Sequence, residues 1–430
     1  MKRRTLQSML LLAAISSTGA LGQINCAGTG PASQKLVCQI PFSTGVFTNN
    51  TSAASAQAAI LDTTAFNSAI ATQVSQLPLA TASAGTVVLY KAGIPQTFNN
   101  LGPILTDRAQ TVGRHKFFLG FTASQFVFTH IDGIGLGKVP FAFVATAVDP
   151  NTQKVLSNTY TSENLNIHFT VGQATGVATF GITDRIDASV IVPIERISIG
   201  DSTSNAQAWV LDANNNLAFG PYSIASATTP GTASGVGDIL FNAKGELWRG
   251  EHATFSAGMN LRTPTGDDRN YLGSGAFGVN PYLVYSYLWK VSPHAKIGYQ
   301  WNTATELNNP TSTAGGNKSL PGGLQYDLGA DWAALKRVTL AADLLGSQYL
   351  NAIRLVDTVP IVLPIPNTTN PPVLPTISTQ TASYSINDLS VGAKWNPYRN
   401  LVLSANVLFQ LNNNGLRARP TPLVGISYKF

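Results

Sequence analysis

Charge is scarce in this chain. Only 11% of its 430 residues are Asp, Glu, Lys or Arg, too few for a soluble all-β protein whose outer positions must be polar. Long apolar runs are also missing. Beyond the N-terminus no stretch of about 20 apolar residues occurs, which excludes membrane-spanning helices. Half of the formal charge of +6 comes from Lys2, Arg3 and Arg4. No basic cluster follows them, which excludes a nucleic-acid partner. Cysteine occurs twice, as Cys26 and Cys38. With no His or second Cys pair beside them, they complete no metal site. In an exported protein they are expected to form one disulfide that closes a short loop. No cofactor is expected: Gly315-Gly316-Asn317-Lys318 lacks both Walker spacing and a strand-to-helix setting.

What is present starts with a secretory signal. Lys2, Arg3 and Arg4 precede an apolar stretch from Met9 to Ile15, and Ala20-Leu21-Gly22 offers small residues for cleavage before Gln23. Residues 1–22 read as a signal peptide, too short to span a bilayer. Residues 23–112 differ from the rest in being rich in Ala, Ser, Thr and Gln. Ile60 or Leu61, Phe66, Ile70, Val74 and Leu77 carry the spacing of a helix over 53–76, which Pro78 stops. Thr86 to Tyr90 reads as a short strand, and a hairpin over Thr86 to Phe98 would add two strands to any count. This segment is a periplasmic extension, a lumen plug or a linker; the sequence leaves the three open.

From residue 113 to 430, apolar residues recur with period two. Leu165, Ile167, Phe169 and Val171 alternate with Asn166, His168 and Thr170. Phe255, Ala257, Met259 and Leu261 follow the same rule, as do Leu324 to Trp332, Leu389 to Trp395 and Leu401 to Phe409. Such alternation places the apolar set on lipid and the polar set, His168 among it, in an interior. Twelve strands are counted, near 113–130, 163–181, 186–199, 236–248, 253–264, 277–289, 294–302, 323–333, 338–349, 385–396, 401–412 and 421–430. Short turns follow the even strands, such as Thr183-Asp184-Arg185 and Pro397-Tyr398-Arg399. Longer loops, at about 132–162, 200–235 and 350–384 among others, follow the odd ones. Tyr285, Tyr287, Trp289, Tyr299, Trp301, Trp332 and Trp395 sit where interfacial girdles belong. The final strand ends on Tyr428 and Phe430, the form of an outer-membrane insertion signal. These features predict an all-β fold: a transmembrane antiparallel up-and-down barrel of about 12 strands in the outer membrane of a Gram-negative bacterium, with a small N-terminal segment containing a helix. The expected partners are outer-membrane lipid and, through the C-terminal strand, the barrel-insertion machinery.

Three stretches resemble a family named for the MetA pathway of phenol degradation. They are Gly181-Ile182-Thr183-Asp184-Arg185-Ile186-Asp187 with Val190-Ile191-Val192-Pro193, then Gly235-Val236-Gly237-Asp238-Ile239, then Leu261 to Asp267 with Gly273-Ser274-Gly275. Each is also sensible hairpin chemistry. The resemblance implies an outer-membrane channel for small, hydrophobic or aromatic solutes. It supplies no site residues.

The candidate site is the lumen. If the alternation holds, Asp187, Glu195, Asp238, Lys244, Arg262, Asp327, Asp331, Asp343 and Lys394 point inward. They form either a charged path that selects solutes or a set of ion pairs that fills a narrow barrel. An outer-membrane lipid hydrolase would need a Ser and a His together on the lipid face. His252 and His294 fall at short turns, His115 and His130 at strand ends, and His168 inward, so no catalytic residues are assigned and the chain is read as no enzyme. Asp267 and Asp268 are too few for calcium. A structural or adhesive barrel, presenting its long loops to a partner, is the alternative to passive solute passage. The cysteine reading is testable: the denatured, unreduced mature protein is expected to show no free thiol with a thiol reagent, and two after reduction.

Overall fold

The computed structural model describes residues 35–38, 66–78, 87–91, 94–98, 100–149, 151–152, 154–224, 228–308, 318–357, 360–398 and 400–430. The expected signal peptide, Cys26 and residues 53–65 of the expected helix lie outside these. Twelve strands form the wall: β1 (Phe117–Ile131), β2 (Val155–Gly181), β3 (Ile186–Asp212), β4 (Thr228–Val236, resuming as Leu240–Arg249), β5 (Ala253–Arg262), β6 (Gly278–Tyr287), β7 (Val291–Asn302), β8 (Gly323–Leu335), β9 (Val338–Asp357), β10 (Ile377–Tyr398), β11 (Leu401–Gln410) and β12 (Thr421–Lys429). Each pairs antiparallel with the next, and β12 returns to β1 through Leu423↔Ser124 to Lys429↔Phe118. Closure leaves no free edge, so every wall N–H and C=O can find a partner without water.

The wall is inverted relative to a soluble sandwich. On β5, Thr254, Ser256 and Arg262 are buried inside, while Met259 on the outer face is 41% exposed. On β6, Asn280, Tyr282, Val284 and Ser286 point in, and Leu283 and Tyr285 point out. The outer face continues as Phe121, Ile194, Phe241, Ile297, Leu328, Leu340, Val391, Val424 and Ile426, all exposed. On β3 this band runs from Ile186 to Ile194, and the next outward residue, Arg196, is exposed. Nine residues of tilted strand fit the hydrocarbon thickness. Trp248, Trp289, Trp332, Trp395 and Tyr398 are exposed where strands meet the short turns.

Two expectations about β2 are corrected. Leu165, Ile167, Phe169 and Val171 face the lumen, and His168 faces outward and is exposed. Their level lies above the outer apolar band, where the outside is watery and the inside is filled by a helix. The polarity of the two faces therefore exchanges within one strand. The expected loops at 132–162 and 200–235 are also largely strand. Val139–Val148 pairs with the upper part of β2, from Val139↔Leu165 to Val148↔Val155. Leu217–Ser223 lies against the upper part of β3. At 27 residues each, β2 and β3 rise well beyond the bilayer. Their Thr, Ser, Asn and Ala residues form ladders there without an apolar period, because no lipid imposes one. In the 350–384 stretch, β9 and β10 likewise extend, from Ala352↔Ala382 to Asp357↔Ile377.

Residues 66–74 are helical, and Val87–Lys91 pairs with Ile94–Phe98 in a separate two-stranded sheet. That hairpin does not enter the wall, so the strand count stays at twelve. A charge tests the lipid face: Leu283→Arg should lower unfolding stability in lipid by about 2–4 kcal/mol. His168→Arg, outward but above the band, should change it by less than about 0.5 kcal/mol. Urea titration in vesicles measures both.

Candidate functional site

The lumen is closed twice by the chain that precedes β1. Near the long-loop end, the helix at 66–74 places Phe66, Ile70 and Val74 in a buried cluster with Phe126, Phe128, Leu165, Ile167, Phe169, Ile197 and Ile199 of the wall. Leu36, Val37 and Cys38, in a short 3₁₀ turn, join the same cluster. Loop 263–276, between β5 and β6, folds inward over the helix. Tyr271, 1% exposed, donates its hydroxyl to Asn67 Oδ1. Asp238 holds that loop by accepting from the Gly266 N–H at 3.2 Å and the Ser274 N–H at 2.8 Å. Arg262, 3.7 Å from Asp238, donates to the Ser75 carbonyl at 3.2 Å, at the helix C-terminal end where carbonyls lack partners. Gln325 and Tyr349 both donate to Gln76 Oε1 at 3.0 Å.

Near the short-turn end, residues 100–112 cross the lumen as a strap without regular structure. Its backbone groups therefore need partners from the wall, and the wall supplies them. Lys244 Nζ donates to the carbonyls of Arg108 (2.8 Å) and Gln110 (3.1 Å). Lys394 Nζ donates to the carbonyls of Leu101 and Pro103. Asp187 accepts from the Val112 N–H at 3.1 Å, and Asp343 from the Leu105 N–H at 3.4 Å. Ser286 accepts from the Ala109 N–H, and Ser256 donates to the Ala109 carbonyl. Lys296 reaches Asp107 at 2.6 Å. Gly102, with φ +78°, makes the strap's bend; a Cβ there would collide with the Arg108 guanidinium folded over it.

The nine residues singled out by alternation are all placed on the inner wall, but they do not form one site. Asp187, Lys244, Asp343 and Lys394 hold the strap. Asp331 is 1% exposed behind it, 3.3 Å from His294 Nδ1. Asp238 and Arg262 hold the loop-end closure. Glu195 accepts from Gln173 Nε2 at 3.1 Å. Asp327 lies 4.0 Å from Lys296. Three participants were not among the residues expected to line the lumen: His294, Lys296 and Asp107. The first two had a visible signal, since Ser292, His294, Lys296 and Gln300 share one parity on β7. His294, expected at a short turn, is instead buried within β7 close to the turn.

His294 also bonds Thr106 Oγ1 at 2.6 Å through Nε2, which lies 2.9 Å from Asp343. With Asp331 at Nδ1, this resembles a hydroxyl–imidazole–carboxylate relay. Thr106 is 0% exposed, however, so no substrate reaches the hydroxyl, and the group serves as a clasp for the strap. Between the two closures lies a chamber of about 250 Å³. Its lining is mixed: Phe126, Phe128, Leu345, Ile386 and Leu408 beside Asn280, Arg262, Asp327, Lys296 and Arg417. Arg417 Nε, Asn280 Oδ1 and Gln410 Oε1 are buried in its wall with no hydrogen-bond partner among the described residues.

A family described as "Putative MetA-pathway of phenol degradation" matches residues 147–317, from the upper hairpin at β2 past β7. Among solved structures, an outer membrane channel from Pseudomonas putida F1 is similar at 13% identity, over 76% of this chain and 100% of that one, with a TM-score of 0.45. A FadL homologue from Pseudomonas aeruginosa is similar at 12% identity over 81% and 98%, with a TM-score of 0.31. A toluene transporter from Ralstonia pickettii is similar at 9% identity over 83% and 98%, with a TM-score of 0.33. Among curated proteins none matches in sequence.

The clasp can be broken from one side. Asp343→Ala strips His294, Thr106 and the Leu105 N–H of their shared acceptor, at a cost of about 3–5 kcal/mol. Hydrogen exchange at Leu105 and Thr106 should then speed up while β-wall amides stay protected.

Proposed function

We propose that this chain is an outer-membrane channel that passes small apolar or amphiphilic solutes passively. The solute would stop in the chamber between the helix and the strap. The observation that carries this reading is the chamber itself: a cavity with apolar walls and unpartnered polar atoms, on the axis of a closed barrel and bounded at both ends by one N-terminal segment. At about 250 Å³ it lies just below the usual range of small-molecule pockets, which favours single-ring compounds over lipids or peptides. The family match over 147–317, with its link to phenol degradation, supports solutes bearing an aromatic ring. The outer apolar band and its aromatic rim support the outer-membrane location, with the short turns in the periplasm.

Residues 66–77 and 100–112 act here as the plug, and most of the inward charges hold the plug rather than line a path. Transport then requires the strap to yield. A second reading has one observation behind it: β2, and the strand Leu217–Ser223 beside β3, rise above the bilayer and expose Leu156, Leu217 and Phe219, a surface an adhesive barrel would use.

Single-channel recording of the mature protein in planar bilayers decides between them. The intact protein should conduct little. The pair Lys244→Met and Lys394→Met, which removes the cationic donors from four strap carbonyls, should raise conductance, and deletion of 23–111 should raise it further. Unchanged silence from protein shown to be folded would count against a plugged channel and favour the adhesive reading. In the opened pair variant, Asp327→Asn should shift the reversal potential toward anions, because Asp327 faces the chamber.

A further inference from the structure

The short-turn end of the barrel carries an excess of exposed cations. Arg114, Lys116, Arg185, Arg249, Lys290, Lys336 and Arg337 are exposed there, against Asp184 and Glu251 among the exposed anions of the described residues. At the opposite end three cations are matched, Lys35 with Asp267, Arg269 with Glu306 and Arg354 with Asp132, while Lys138, Lys154, Lys318 and Arg419 are exposed there but lie on loops without a flanking aromatic rim. The excess is distributed around the circumference. It occurs ahead of β1, at β6–β7 and at β8–β9, so no single patch gathers it; at the other two turns Arg185 is offset by Asp184, and Arg249 by Glu251 and by Glu246 at 2.5 Å.

The level of these cations is fixed by their neighbours. Outward aromatic side chains lie beside them in sequence: Phe180 before Arg185, Trp248 before Arg249, Trp289 before Lys290, and Trp332 before Lys336. Aromatic rings of this kind settle at the boundary between acyl chains and headgroups. The turns themselves are tight, as Leu335↔Val338 and Arg249↔Thr254 show. A Lys or Arg on such a turn cannot extend far past the ring beside it. Its charge therefore ends among headgroup phosphates, where guanidinium forks and ammonium groups bind oxyanions.

We propose that this rim is a binding ring for anionic phospholipids of the inner leaflet, with phosphatidylglycerol as the representative headgroup. The inference rests on the outer-membrane reading above. A ring at headgroup depth suits annular lipid better than a soluble acidic partner or the cell wall. Either of those would require charge that projects into the periplasm or collects on one side.

The test uses the full mature protein reconstituted into phosphatidylcholine vesicles. Insertion is first checked by heat-modifiable gel migration. Spin-labelled phosphatidylglycerol and phosphatidylcholine are then compared for association with the protein by electron spin resonance. The expected result is a severalfold preference for phosphatidylglycerol at low salt that falls toward parity near 1 M salt. The variant Lys290→Gln, Lys336→Gln, Arg337→Gln should lose part of the preference and still insert. The wild-type salt titration stands without it should that variant misfold. Insertion with equal association of the two lipids overturns the rim proposal alone. Failure to insert overturns the membrane reading and the rim proposal with it. Retention on isolated cell-wall sacculi, without lipid preference, assigns the rim to the wall and also overturns it.

Discussion

The constraint on which this structure depends is that a closed β-wall with polar groups facing inward must be given partners. A barrel of twelve strands is too narrow to hold a broad column of water and too wide for its own side chains to meet across the axis. Residues 66–77 and 100–112 resolve this by entering the lumen. The strap brings backbone carbonyls and N–H groups, and Lys244, Lys394, Asp187 and Asp343 meet them. Each group satisfies the other. A buried ammonium with no acceptor, or a strap carbonyl with no donor, would cost several kcal/mol. The wall charges and the strap are one construction, and neither has a reason to be there without the other.

Much of the wall was legible in the sequence because lipid enforces alternation. Along β5, β8, β10 and β11 the environment changes with every residue, and the pattern follows it. Where the environment stops alternating, the pattern stops informing. Val155 to Ser162 and Thr203 to Asp212 are strands with water outside, so Thr, Ser and Asn serve on either face and the residues read as loops. Leu165 to Val171 alternates clearly but in the opposite sense, because the apolar partner is the helix inside. Period two fixes that a strand exists; what lies on each side fixes which face is which. The strap was invisible for a related reason. Asn100 to Val112 forms no repeating element, and its fit is defined by residues as far as 293 positions away in sequence.

The inward charges show the same limit. Parity placed Asp187, Lys244, Asp331, Asp343 and Lys394 on the inner wall without difficulty. It could not say whether they met water, one another or another segment, because that depends on a third body whose path the alternation does not encode. His294 illustrates the cost. Its residue type and its place near a turn suggest an exposed imidazole. In the fold it is a buried junction between Thr106, Asp331 and Asp343.

The two closures are built from different interactions, and this bears on which one yields. The helix is held largely by apolar contact with β1, β2 and β3, reinforced by Arg262, Gln325 and Tyr349 at its end. Pulling it out would expose a contiguous hydrophobic surface to the chamber, at roughly 25 cal/mol for each Å² of apolar area uncovered. The strap has few large apolar anchors; Leu101, Ile104, Leu105 and Val112 are the exceptions. Its bonds are mostly polar, and water entering the lumen can replace polar bonds one at a time, each at a net cost of about 0.5–3 kcal/mol. A segment held in this way can open stepwise, whereas an apolar cluster must be broken as a unit. The strap is therefore the closure suited to repeated movement, and the helix to staying in place.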